Sequence, residues 1–143
     1  MKLCFHCEIM MLNYVAGLPA FISYFLTSLL CLAAFCAVYT RLTPHREGEL
    51  IKAGNIAAVV AFLGALIGFS LPLASAAANS VSLPDYVIWA VIGLLVQVLA
   101  FYIAKLSMTD LHLKITENNV AAGLWSGGIA VVIGILNAAC MAY

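Results

Sequence analysis

The chain has 143 residues, of which 66% are hydrophobic and only 8% are charged, and its formal net charge at pH 7 is zero. Soluble domains carry about 25% charged residues, so this composition excludes a water-soluble globular protein and favours an integral membrane protein. The neutral balance provides no basic patch for nucleic acid, and the short chain leaves no room for a separate soluble catalytic domain.

The first apolar run covers residues 13–39 and predicts the first membrane span. It is too long for the apolar core of a secretory signal peptide and lacks a convincing cleavage site before the charged residues that follow. Residues 1–10 precede it as an N-terminal extension, and a later methionine is an alternative start. Cys4 and Cys7 form a CxxC pair there, but no second ligand pair follows, so we predict neither a metal site nor a cofactor.

A polar loop, residues 40–53, separates the first span from the second. Pro44 predicts a turn, and the acidic residues after it begin a short amphipathic segment. The second span, residues 54–80, contains no charged residue and exceeds the roughly 20 helical residues that cross an apolar layer of about 30 Å. Pro72 lies inside this span, which a membrane helix tolerates because neighbouring groups can bind the freed carbonyl oxygen.

Small and polar residues recur at steps of three or four along the second span, at Gly64, Gly68, Pro72, Ser75 and Asn79. This spacing places them on one helix face. In lipid, burial of apolar area does not drive helices together, whereas close backbone approach and hydrogen bonds do. We therefore predict that this face packs against protein, with a polar lining for a ligand or ion path as the alternative.

A tight loop, residues 81–86, leads to the third span at residues 87–104. Gln97 lies near the middle of that span, and we predict that it hydrogen-bonds across helices, with contact to a substrate as the alternative. The second long polar loop, residues 105–119, contains a short amphipathic segment that predicts an interfacial helix. The fourth span follows at residues 120–143.

The basic residues predict the orientation in the membrane. The first and third loops contain five of them, namely Arg41, Arg46, Lys52, Lys105 and Lys114. Positive residues favour the cytoplasmic side, so we predict that both long loops are cytoplasmic and that both termini lie outside.

The two halves of the chain show a weak internal repeat at an offset of 64 residues, which aligns Ile51 with Ile115 and Asn55 with Asn119. The fourth span repeats the small and amide residues of the second, at Gly123, Gly127 and Asn137. Two spans per unit return the chain to the side where it began, so the repeat is parallel. The predicted fold is all-α and integral to the membrane, with four transmembrane helices arranged as a tandem repeat of two-helix units, residues 11–79 and 80–143.

Several segments resemble the YjfL-like family of uncharacterised bacterial inner membrane proteins, over about residues 11–143. They are YTRLTPHREGELIK (residues 39–52), GNIAA (54–58), GFSLPLASAAANSVSLPDY (68–86), NVAAG (119–123) and NAACM (137–141). The resemblance implies an inner membrane location, four helices and a two-span domain of unknown function that can occur twice. It also suggests genomic company with a coat protein like phage-shock protein A and with an ATP-grasp enzyme like glutathionylspermidine synthase, and hence envelope stress. No family active site can be transferred to this chain.

The sequence allows three classes of function to be compared: an enzyme, a channel or transporter component, and a scaffold or interaction subunit. An enzyme is disfavoured because the predicted spans contain no Asp, Glu, Lys or His, and the titratable residues lie in loops. A channel or transporter component would need a homo-oligomer, because four spans enclose little volume. We favour a scaffold or interaction subunit of the lipid bilayer that docks a cytoplasmic partner, such as a coat protein like phage-shock protein A, through the charged loop residues Arg46, Glu47, Glu49, Lys114 and Glu117.

Overall fold

The computed structural model describes residues 17–43 and 47–142. All secondary structure in this part of the chain is helical: α1 Leu18–Leu42, α2 Glu47–Lys52, α3 Ile56–Asn79, α4 Leu83–Ser107, α5 Leu111–Thr116 and α6 Val120–Cys140. The N-terminal extension with Cys4 and Cys7, and the docking candidate Arg46, lie outside the described residues.

Four of these helices, α1, α3, α4 and α6, are long and apolar enough to cross a membrane. The predicted all-α fold with four spans is thus confirmed. The short helices α2 and α5 lie where the sequence predicts amphipathic segments. Each of them connects the end of one span to the start of the next, so both lie at one end of the bundle, called here the short-helix end.

The opposite end holds the connection between α3 and α4, which is shorter than predicted. Helix α4 begins at Leu83 instead of residue 87, because its first turn is well capped. The Ser82 hydroxyl accepts a hydrogen bond from the Asp85 backbone N–H at 3.4 Å, and Pro84 lies in the first turn, where its missing N–H costs nothing. Only residues 80–82 therefore remain as a loop.

Helices α3 and α6 form the centre of the bundle and run parallel, since both start at the short-helix end. Helix α4 runs antiparallel and packs against both, while α1 lies outside and contacts α3 and α4. Aromatic rings attach α1 to the rest: Phe35 stacks on Phe69 with ring centroids 4.6 Å apart, and Tyr24 lies against Tyr86 at 5.4 Å. The core next to α1 is thus aromatic.

The elements recur at nearly constant spacing along the chain. Helix α5 begins and ends 64 residues after α2, and α6 begins 64 residues after α3. A left-handed residue precedes each of these spans at the same offset, Gly54 with φ 83° and Asn118 with φ 62°. Each donates its backbone N–H to an isoleucine carbonyl at 3.0 Å, Ile51 and Ile115 respectively. Duplication of a two-helix unit, with limits at residues 11–79 and 80–143, stays a prediction.

Candidate functional site at the short-helix end

The glycines of α3 and α6 bring the two backbones into contact. A Cβ atom added to Gly64 would overlap the backbone of Gly127, and one added to Gly123 would overlap the backbone of Ala57. Gly68 lies equally close to the carbonyl of Ala130. These contacts leave no space for a side chain between the two helices at these positions.

Three of the predicted polar residues lie between helices. The Ser75 hydroxyl donates to the Ala138 carbonyl at 2.8 Å, and Gln97, which is only 3% exposed, donates through Nε2 to the Ala130 carbonyl at 3.1 Å. The Nδ2 atom of Asn137 is buried and has no hydrogen-bond partner among the described residues. Gln97 and Ser75 thus hold α6 against α4 and α3.

One expectation about α3 needs correction. Asn79 is exposed, and its side chain donates to the Ser75 carbonyl of its own helix at 2.8 Å, because α3 ends at this residue. Asn79 is therefore not part of the packing face, whereas Pro72 is buried on it. Phe69 and Leu73 are also buried, at 1% and 6% exposed, because α1 and α4 cover a second side of α3.

The short-helix end is tied together by asparagine side chains. The Asn55 side-chain oxygen accepts from the Ala58 N–H at 2.9 Å and so caps the start of α3. Its Nδ2 donates to the carbonyls of Ile115 and Thr116, at 2.8 and 3.1 Å, and so also satisfies the end of α5. In return, the Asn118 side chain accepts from the backbone N–H of Ala57 at 3.1 Å. The end of α5 is thus joined by side-chain hydrogen bonds to the start of α3.

A buried carboxylate lies beside this network. Glu47 begins α2 and is only 2% exposed, and its side chain is hydrogen-bonded to the hydroxyl of Tyr39 from α1. A cavity of about 20 Å³ adjoins both residues. Its lining comes from all the helices except α3: Tyr39, Thr43, Glu47, Phe101, Lys105, Leu111, His112, Ile115 and Ser126.

The docking candidates therefore divide into two groups. Glu49 and Glu117 are exposed and Lys114 is partly exposed, so these three can meet a partner in the adjacent aqueous phase. Glu47 was expected in the same solvated surface, but it faces the bundle, since the first turn of α2 packs against α1. The prediction was wrong for the exposure of Glu47, because a six-residue helix buries one face and the spacing alone does not show which.

Sequence reasoning missed several residues of this end. Asn55 and Asn119 were noticed only as repeat markers, although an Asn before an apolar run is a standard N-cap signal. Tyr39 and Ser126 gave no signal, because a single hydroxyl in an apolar run looks like any packing residue. Gly134 was also missed, and a Cβ there would overlap the backbone of Gly68.

Comparison with known proteins gives a family but no described activity. A family model described as Domain of Unknown Function (DUF350) matches residues 13–141 of the chain. The chain is 43% identical over 132 residues to the UPF0719 inner membrane protein YjfL of Escherichia coli strain K12, which covers 92% of this chain and 100% of that relative. It is 25% identical over 119 residues to the UPF0719 transmembrane protein YshE of Bacillus subtilis strain 168, and this match covers 82% of this chain and 89% of that relative. No solved structure matches the chain significantly.

Proposed function

This chain belongs to the DUF350 family, and we propose that it is a non-enzymatic interaction subunit of the bacterial inner membrane that docks a partner at its short-helix end. Membership confirms the resemblance seen in the sequence. The partner would lie in the cytoplasm if the positive-inside rule holds for this chain.

One observation carries the proposal: α2 and α5 are short, fixed helices that bury one side and expose charge on the other. Leu111 and Ile115 are each 4% exposed and pack into a small core with Ala57 and Ala122. Exposed charges of both signs lie on α2, at Glu49 and Lys52, and directly after α5, at Glu117. Charges on a rigid support suit recognition of a partner, because little side-chain and backbone entropy is lost on binding.

The channel alternative has less support. Helices α3 and α6 contact each other through backbone atoms along the predicted polar path, and Asn79 points away from it. A path would have to form between copies of the chain. The amide of Asn137 is the feature that still favours this alternative, because a buried amide without a partner inside a membrane commonly marks a functional site.

The partner and the process are proposed from the family resemblance alone. A coat protein like phage-shock protein A is the first candidate, and a role in envelope stress would follow from such a partner. Its basis is an expected genomic association, so the experiment should recover the partner without assuming its identity.

The test is crosslinking in native membranes with a tagged full chain, followed by identification of the captured proteins. The variant replaces Glu49, Lys52, Lys114 and Glu117 by Gln, which removes two charges of each sign and leaves the net charge unchanged. Since all four side chains are at least partly exposed, we expect unchanged membrane levels and at least a tenfold loss of captured partner.

A matched control is Asp85→Asn, which removes one charge at the opposite end of the bundle. It should leave capture unaffected. If the quadruple variant captures the same proteins in the same amounts, docking through α2 and α5 is wrong. If only further copies of the chain are recovered, in a defined oligomer, the channel alternative gains support and flux should be measured with Asn137→Ala.

A further inference from the structure

An amide group without an acceptor lies where α3, α4 and α6 meet, in the half of the bundle away from the short-helix end. The Nδ2 atom of Asn137 on α6 is buried and has no hydrogen-bond partner among the described residues. A span has no bulk water around it to accept the bond, so an unpaired donor there costs free energy. The folded protein therefore gains stability from any acceptor that can reach this amide.

A backbone carbonyl close to this amide lacks its usual partner. Pro72 lies inside α3 and has no N–H, so the carbonyl of Gly68, four residues earlier, loses its hydrogen bond within the helix. The nearby serines do not replace that bond, because Ser70 donates to the Leu66 carbonyl and Ser75 donates to the Ala138 carbonyl. The Gly68 oxygen thus has a lone pair for another donor.

The amide and the carbonyl face the same junction. The Gly68 carbonyl lies against Gly134 of α6, where an added Cβ would overlap it. Asn137 follows Gly134 by three residues and so shares a face of α6 with it. Side chains on a helix lean towards its N-terminus, so the Asn137 amide points towards the level of the Gly68 carbonyl.

Gly93 of α4 leaves space at this junction. A Cβ added to Gly93 would lie 3.5 Å from Cγ of Pro72 and 3.7 Å from Nδ2 of Asn137, which are ordinary van der Waals distances. By contrast, a Cβ at Gly68 or Gly134 would overlap the backbone of the facing helix. An oxygen atom in the space beside Gly93 needs to move only about 0.7 Å to reach hydrogen-bond distance from the amide nitrogen.

We propose that one water molecule binds at this junction, accepts a hydrogen bond from Nδ2 of Asn137 and donates one to the carbonyl of Gly68. Water suits the site because it both accepts and donates, and a buried water needs at least about two polar partners. A metal cation does not suit it, because an amide N–H donates and cannot act as a ligand. The water satisfies two groups on either side of Pro72, and the site is independent of the docking surface at the short-helix end.

Gly93→Ala distinguishes a bound water from simple packing by the direction of its effect on the Tm of the full chain in detergent. Without a water, the added methyl group makes ordinary contacts and alanine favours the helix, so the Tm should rise. With the water, the methyl group takes its place and leaves the amide and the carbonyl unpaired. We therefore expect the Tm to fall by about 2–8 °C.

The same substitution in an Asn137→Leu background should raise the Tm, because that background has no amide to leave unpaired. Gly128→Ala is the matched control, since its added Cβ meets nothing within 4 Å, and its effect should be the same in both backgrounds. A rise in Tm for Gly93→Ala alone would overturn the proposal. So would an equal fall in both backgrounds, because the methyl group would then act by overpacking.

A direct measurement on the native chain does not depend on how the variants fold. Proton NMR of the ¹⁵N-labelled protein in lipid bilayers should show magnetisation transfer from water to the side-chain amide of Asn137, whose signal is assigned by its loss in Asn137→Leu. We expect this transfer to disappear in Gly93→Ala. Its absence in the native chain would overturn the proposal, and so would its persistence in Gly93→Ala, because the water would then lie elsewhere.

Discussion

Helices α1 and α3 have almost the same length and mean hydropathy, yet they occupy opposite positions in the bundle. In the most apolar 18-residue window, 6% of the residues of α1 are buried inside the protein, compared with 50% for α3. In a soluble protein, two equally apolar helices would be expected to bury similar areas. The membrane removes that expectation, because lipid chains are as apolar as the protein interior.

Side-chain size accounts for the difference. Helix α3 carries Gly64, Gly68 and several alanines on its buried side, so α6 can approach its backbone. Helix α1 carries large side chains on most sides, and Phe21, Phe25 and Leu30 are among those exposed to the surroundings. Small residues therefore predict which helix lies at the centre of the bundle, whereas an apolar composition predicts only that a helix spans the membrane.

Gly134→Ala should lower the stability of the protein most strongly, since it adds a methyl group where the backbone of Gly68 already lies. The two backbones must separate, and overpacking of this kind costs about 1–3 kcal/mol of folding free energy. The control is Gly128→Ala, where the added Cβ meets nothing within 4 Å. It should be neutral or stabilising by up to about 1 kcal/mol. Reversible unfolding in mixed micelles measures both, and equal effects would contradict glycine-mediated packing of α3 and α6.

Asn55→Ala tests how α3 is attached at its start. The substitution removes the N-cap of α3 and two hydrogen bonds to the end of α5, so we expect a loss of about 2 kcal/mol. Asn119→Ala is the matched control, because Asn119 also caps a span but is exposed and accepts from Ala122 at 3.3 Å. Its loss should be about 0.5–1 kcal/mol. The same unfolding measurement applies. Equal losses of stability for the two variants would contradict a contribution from the hydrogen bonds between Asn55 and the end of α5.

Phe35→Ala tests the attachment of α1. Phe35 is 2% exposed and stacks on Phe69. Truncating such a residue in a soluble core costs about 3–5 kcal/mol. Here we expect only about 1 kcal/mol, because a lipid chain can refill the site. Phe25→Ala, at a residue 52% exposed, should have no measurable effect. A loss above 3 kcal/mol for Phe35→Ala would show that α1 is held as tightly as a soluble core helix.

Ser28→Ala should produce the smallest change. Ser28 and Tyr86 are joined by a 2.7 Å hydrogen bond between their hydroxyls, which connects α1 to α4. Such bonds between membrane helices contribute about 0.6 kcal/mol on average. A double-mutant cycle with Tyr86→Phe isolates this coupling. A coupling near zero would leave the aromatic contacts as the main attachment of α1 at this level.

The amino-acid sequence alone determined the elements of this protein. Apolar runs of membrane-spanning length, separated by polar loops, specify four spans, because a backbone in lipid must satisfy its hydrogen bonds within a helix. The short helices α2 and α5 and the glycine pairs could also be identified in the sequence, since both depend on the local spacing of residues. The family followed from particular segments of the chain.

Only the tertiary structure decided which residues meet. Gly127 contacts α3 while its neighbour Gly128 faces open space, and Glu47 is buried while Glu49 on the same helix is exposed. Spacing defines the faces of a helix, but its rotation depends on partners far away in the chain. The cavity beside Glu47 could not be predicted for the same reason, because its lining comes from five helices, each of which contributes only a few residues.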